Sequence, residues 1–160
     1  MPEQESIDSV YRRHGAAVYR RALQLLGSSA EAHEVVQDVF VSLFENPAQY
    51  TGKSSLTTFL YSATTHACLN RLRNYRTRER LLRERVAPGV VEVDSGLTPD
   101  QKLVLRRALA DMPEELAQVL VYYCVDGLSH EEIAGLLSCS RRHVGNLLER
   151  VNAWGKTQEA

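Results

Sequence analysis

The sequence predicts an all-α protein: two small helical domains joined by a flexible linker. Apolar residues recur at spacings of three and four through most of the chain, the period of a helix with one buried face. Few stretches alternate apolar and polar residues as half-buried strands do. One segment, residues 87–100 (APGVVEVDSGLTPD), gathers two prolines and two glycines and breaks the helical period. The 160 residues are 44% hydrophobic and 24% charged, enough apolar material for a globular core and too little continuous apolar sequence for a membrane span.

The first helix is expected over Ile7–Leu26. Ile7, Val10, Tyr11, His14, Val18, Ala22, Leu25 and Leu26 form its stripe, with Arg12, Arg13, Arg20 and Arg21 off it. Gly27 supplies a left-handed stop. Ser28 or Ser29 caps a second helix that buries Ala32, Val36, Val39, Phe40 and Leu43 and ends at Asn46-Pro47. After a polar loop, Ser54 or Ser55 caps a third helix with Leu56, Phe59, Leu60, Ala63 and Ala67 on one face, continuing into the arginine-rich residues 71–85. Val90, Val91 and Val93 have strand character but no visible partner. The second domain is expected from Gln101. Leu103, Val104, Ala108 and Leu109 share a face, Pro113 opens the next helix, Leu116, Val119, Leu120 and Tyr123 line it, and Gly127 stops it.

Residues 128–151, LSHEEIAGLLSCSRRHVGNLLERV, carry the clearest motif. Ser129 and Glu132 form a capping box. Ile133, Ala134 and Leu137 face inward, Ser138-Cys139-Ser140 makes a tight break, and Val144, Leu147 and Leu148 face inward from the next helix. A small residue at the crossing, a small residue in the turn and a β-branched plug are what two steeply crossed helices require. This is the helix-turn-helix pattern, whose second helix enters the DNA major groove. Arg141, Arg142, His143, Asn146 and Arg150 project from that helix, and arginine and asparagine make paired hydrogen bonds to base edges. A helical hairpin with a solvated charged face is the plain alternative. Gly145 sits inside the helix at a cost of about 1 kcal/mol relative to alanine; a close backbone approach or reduced rigidity would account for it.

Charge is unevenly placed. Residues 1–70 carry five basic and seven acidic side chains, residues 71–85 seven and two, and residues 86–160 seven and eleven. The net charge of −1 excludes a uniformly basic nucleic-acid coat and leaves a local basic patch. Cys68, Cys124 and Cys139 describe no disulfide framework, and the N-terminus has no signal pattern, so a cytoplasmic location is expected. No cofactor and no metal are expected: His130-Glu131-Glu132 lacks the second histidine of a zinc protease, and Cys124, His130 and Cys139 match no standard finger spacing. Gly52-Lys53-Ser54 is not a phosphate loop, because Pro47 stands where glycine is required. An enzyme is not expected.

Taken in order, these features resemble a bacterial RNA polymerase sigma factor of the extracytoplasmic-function group of the sigma-70 family. The resemblance spans residues 6–151. AEAHEVVQDVFVSLFEN resembles the polymerase-binding helix, TGKSSLTTFLYSATTHACLNRLRN the minus-ten-reading segment, and LADMPEELAQVLVYYCVDGLSHEEIAGLLSCSRRHVGNLLERV the minus-thirty-five-reading domain. The resemblance implies that Glu34, Gln37 and Asp38 grip a coiled coil of the largest subunit of core RNA polymerase. It implies that the loop with Gly52, Lys53, Ser54 and Ser55 receives a flipped base, with Phe59 in the place of the family's usual tryptophan. His66 and Asn70 would touch minus-ten bases, and Arg71 and Arg73 the phosphates; His66 replaces the common asparagine. Arg141, Arg142, His143, Asn146 and Arg150 would contact the minus-thirty-five element, although Gly145, Leu147 and Glu149 depart from the usual basic helix. The implied domains are residues 1–86, like sigma region 2, a linker 87–100, and residues 101–160, like sigma region 4. The implied partners are core polymerase, promoter DNA and, as for many family members, an anti-sigma factor, without membrane insertion. A stand-alone dimeric helix-turn-helix regulator is the alternative reading.

Overall fold

The computed structural model describes residues 6–81 and 97–158, with side chains to Asn74 in the first stretch. The side chains of the arginine segment beyond Asn74, the candidate strand at 90–93 and most of the predicted linker lie outside the described residues. The described residues contain helices and no strand. The chain divides into two compact units, one ending at Leu97 and the other starting at Thr98.

The first unit packs three helices against one another: α1 (Ile7–Leu26), α2 (Ser29–Glu45) and α3 (Leu56–Leu81). The Ser6 hydroxyl caps α1, and Gly27 ends it at φ 70°, the left-handed stop read from the sequence. Ser28 takes the capping role for α2 by accepting from the Glu31 N–H. The predicted face of α2 is buried, together with Val35. A short 3-10 turn at Pro47–Gln49 follows. Of the two candidate caps for α3, Ser55 accepts the Thr58 N–H at 3.1 Å.

Three expectations for this unit change. Ile7 and Tyr11 are more than half exposed, although Val10 between them is fully buried. The inner face of α3 is not the Leu56, Phe59, Ala63, Ala67 stripe; it runs through Leu60, Thr64, Thr65, Cys68, Leu69 and Leu72. The two threonines tolerate burial because each hydroxyl donates to its own helix, Thr64 to the Leu60 carbonyl at 2.6 Å and Thr65 to the Tyr61 carbonyl at 2.9 Å. The third change is Arg21, placed off the apolar stripe by periodicity and in fact only 7% exposed. Its Nε and Nη2 donate to the Thr65 hydroxyl at 3.0 and 2.7 Å, and its guanidinium lies 3.6 Å over the Tyr61 ring. A buried charge requires this kind of bonded and polarisable surrounding. Cys68 behaves as a small apolar residue: burial pushes its thiol up to about 12 despite nearby Arg21 and Arg71.

The second unit contains α4 (Pro99–Asp111), α5 (Glu114–Leu120), α6 (His130–Leu137) and α7 (Arg141–Gln158). Thr98 and Gln101 form a reciprocal capping box, so α4 begins at Pro99, within the predicted linker. Leu109 and Met112 are buried, whereas Leu103 and Val104 are 48% and 67% exposed. Leu109 is therefore inward as predicted, whereas Leu103 and Val104 are not. Pro113 stands just before α5 rather than in its first turn. The end of α5 widens over Val121–Val125, where the Asp126 N–H reaches the Val121 carbonyl five residues back. This breaks the 3.6-residue period on which Tyr123 was assigned inward. Tyr122 is buried instead, and Tyr123 is 45% exposed against His130.

Arg21→Ala is expected to lower the unfolding free energy by about 1.5–3 kcal/mol in a urea titration, with Arg21→Lys recovering part of the loss. A midpoint unchanged by Arg21→Ala would show that the buried guanidinium contributes nothing.

Candidate protein and nucleic-acid interfaces

The outer face of α2 presents Glu34, Gln37 and Asp38, all exposed. Glu34 and Asp38 are one turn apart, so their carboxylates point the same way. Arg71 on α3 spans them, with Nη1 donating to Glu34 Oε2 at 2.5 Å and Nη2 to Asp38 Oδ2 at 2.7 Å. Partial burial works against the Arg71 charge, but the hydrogen bonds to Asp38 and Glu34 outweigh it and raise its pKa. A cleft of about 410 Å³ opens here, lined by Glu31, Glu34, Asp38, Ala67, Asn70, Arg71 and Asn74. Arg71, assigned by resemblance to phosphate contact, is thus turned toward the acids of α2 in this structure.

Of the other predicted minus-ten residues on α3, Asn70 lines this same cleft. His66 and Asn70 are exposed one turn apart, and Arg73 is half-buried nearly a turn further on. In the preceding loop Gly52 adopts φ 78°, with open space around it, and Lys53, Ser54 and Ser55 are exposed. Several of the loop's polar groups are already engaged. The Ser55 hydroxyl caps α3 and donates to Thr58 Oγ1 at 3.0 Å, and the Tyr50 hydroxyl donates to the Ser54 carbonyl at 2.8 Å. Tyr50 also sits edge-on to Phe59, with ring centroids 5.3 Å apart, so Phe59 is half-buried beneath the loop. Tyr50 had no role in the sequence reading; only the folded loop brings it to Phe59.

In the second unit the helix-turn-helix forms as the capping residues indicate. Ser129 Oγ accepts the Glu132 N–H, and Glu132 Oε1 accepts the Ser129 N–H, both at 3.1 Å. Ser138 ends α6 in a left-handed conformation, φ 54°, and the Cys139 N–H returns to the Ala134 carbonyl. Ser140 Oγ caps α7 through the His143 N–H. Ile133, Ala134, Val144 and Leu147 are buried where the helices meet. The five predicted contact residues are exposed on α7 but divide into two groups. His143 Nε2 lies 3.3 Å from Glu115 Oε1, and Arg150 Nη1 lies 3.5 Å from Glu115 Oε2. Arg141, Arg142 and Asn146 have no such tether among the described residues. Glu115, on α5, is a neighbour that sequence reasoning missed, since nothing in local spacing links it to a helix 28 residues later.

Among the described residues no group of three His, Cys, Asp or Glu side chains gathers as a metal site, and no helix is long and apolar enough to cross a membrane.

Two family models match this arrangement. The model described as sigma-70 region 2 matches residues 10–78, within the first unit, and that described as sigma-70, region 4 matches residues 102–151, within the second. The chain belongs to the sigma-70 family. It is 29% identical to the ECF RNA polymerase sigma factor SigE of Mycolicibacterium smegmatis, covering 91% of this chain and 58% of that protein. It is 26% identical to the RNA polymerase sigma factor YlaC of Bacillus subtilis, covering 94% and 90%. Among solved structures, the sigma factor RpoE with the anti-sigma factor NepR from Bartonella quintana shares the fold at a TM-score of 0.50 and 16% identity, over 91% of each chain. CnrH in complex with the cytosolic domain of CnrY does so at 0.50 and 20%, over 95% and 86%.

Within this sigma-70 region 4 unit, the space around Gly145 removes one explanation for the glycine: a Cβ there meets nothing within 4 Å. Gly145→Ala is therefore expected to stabilise α7 by about 0.5–1 kcal/mol, read as a higher midpoint in unfolding of the full chain. A lowered midpoint would show that a neighbour closes on that position.

Proposed function

We propose that this chain is an alternative sigma factor that joins bacterial core RNA polymerase, directs it to two-element promoters and starts transcription there. The observation that carries this reading is the order of the two sigma-70 modules, each on its own helical unit. Glu34, Gln37 and Asp38 meet basic side chains of the polymerase, their carboxylates one turn apart on an exposed face. His66 and Asn70 face the minus-ten bases from the exposed side of α3, with Arg73 near the phosphates. The 51–55 loop and Phe59 receive a splayed base, for which hydroxyls, backbone groups and an aromatic edge are suitable chemistry. Arg141, Arg142 and Asn146 read the upstream element, while His143 and Arg150, drawn toward Glu115, serve the backbone. The protein works in the cytoplasm, on the nucleoid when bound to polymerase, without a cofactor or bond chemistry of its own. Its partners are core polymerase and promoter DNA, and an anti-sigma factor of the kind found with RpoE in the Bartonella quintana structure.

Run-off transcription with purified core polymerase on a promoter library tests this directly: defined start points are expected with the chain and none without it. Asp38→Arg is expected to abolish capture of core polymerase while the helical melting curve stays intact; undiminished capture would remove α2 from the interface. Arg142→Ala is expected to weaken use of the upstream element by about 1–3 kcal/mol. Equal loss on wild-type and scrambled upstream elements would move Arg142 from base reading to phosphate contact.

A further inference from the structure

Resting on the polymerase-binding reading above, we propose that Arg71 is an internal occupant of the cation site formed by Glu34 and Asp38, displaced by a basic side chain of the polymerase when the two proteins join. The free chain holds in place of its partner a surrogate of the same chemistry.

Three observations converge on this. The guanidinium lies between two carboxylates one helical turn apart, giving one nitrogen to each. That fork geometry is what an incoming arginine would adopt, and an arginine taking the same position between the two acids would meet the Arg71 guanidinium there. Second, the acids are open to a partner: the Glu34 and Asp38 side chains are 61% and 63% exposed, and Arg71 is 24% exposed beneath them. Third, the adjoining cleft of about 410 Å³ is lined by Glu31, Asn70 and Asn74 and, among the described residues, by no second basic side chain. It leaves room for an incoming cation and for the released guanidinium, whose charge Glu31 and the two amides accommodate. Partly exposed ion pairs are weak enough to exchange on complex formation and strong enough to shift an equilibrium. A fixed brace that orients the acids for the partner is the opposing account, and it predicts an effect of the opposite sign.

Equilibrium binding of the full chain to purified core polymerase, without DNA, separates the two. Arg71→Gln removes the competitor and is expected to bind about three- to tenfold tighter than wild type. The gain should shrink as salt is raised. Arg71→Lys keeps a charge but cannot fork across both carboxylates, so it is expected to fall between the two; if Arg71→Gln fails to fold, Arg71→Lys decides alone. Unchanged or weaker binding by the folded variant overturns the proposal. Asp38→Arg in the same assay reports on the underlying reading. If it binds like wild type, α2 does not face the polymerase, whatever Arg71 does.

Discussion

Arg21 is the constraint on which the geometry of the first unit depends. It is charged, nearly inaccessible and bonded to the Thr65 hydroxyl while lying flat on Tyr61, so it fixes α3 against α1 in rotation as well as distance. Hydrophobic contact alone tolerates sliding; a planar fork over a ring does not. With that rotation set, Thr64, Thr65 and Cys68 turn inward, and His66 and Asn70 turn to solvent. The same rotation brings Arg71 to the acids of α2. The position of one buried residue thereby determines which polar side chains of α3 are offered outward and which are turned toward a neighbouring helix. It also covers one face of Tyr61, leaving Phe59 as the better-placed aromatic near the loop.

In the second unit, backbone caps do the corresponding work. Two reciprocal boxes, Thr98 with Gln101 and Ser129 with Glu132, start α4 and α6, and Ser140 starts α7. Each satisfies N–H groups that a helix leaves without partners, and each fixes where the first turn begins. The turn between α6 and α7 relies on Ser138 in a left-handed conformation that side chains ordinarily avoid. The buried quartet of Ile133, Ala134, Val144 and Leu147 holds that strained position and presents the outer face of α7.

These local devices are why much of the fold was legible before any coordinates. Ser28, Gly27, the Ser129–Glu132 box and the inward residues of the helix-turn-helix are set by neighbours within four positions, and their chemistry is written in residue type. What was not legible depends on distant partners or broken periodicity. Arg21 reads as surface until Thr65, 44 residues away, is brought beside it. Arg71 is assigned to phosphate contact by resemblance, and nothing in its local sequence signals the Glu34 and Asp38 carboxylates that tertiary packing brings to it. Tyr122 and Tyr123 exchange places because the end of α5 widens, and a fixed 3.6-residue period has no means of registering the break. The exposed positions of Arg141, Arg142 and Asn146 were readable from the helical stripe; the pull of Glu115 on His143 and Arg150 was not.

That pull bears on how DNA is bound. Residues 86–160 carry eleven acidic against seven basic side chains, and on α7 two of the outward basic groups lean on a carboxylate. Proteins that bind DNA unaided draw much of their affinity from neutralising phosphates, which requires a surplus of free positive charge. Here the surplus is missing, so on the proposed reading Arg141 and Arg142 would supply discrimination more than affinity. A dimeric regulator acting alone would have to obtain its binding energy from this acidic unit. A subunit held near DNA by a larger enzyme does not, because the enzyme raises the local concentration and the recognition helix needs only to prefer the right bases. The charge of the second unit therefore agrees with a polymerase subunit and weighs against an independent regulator.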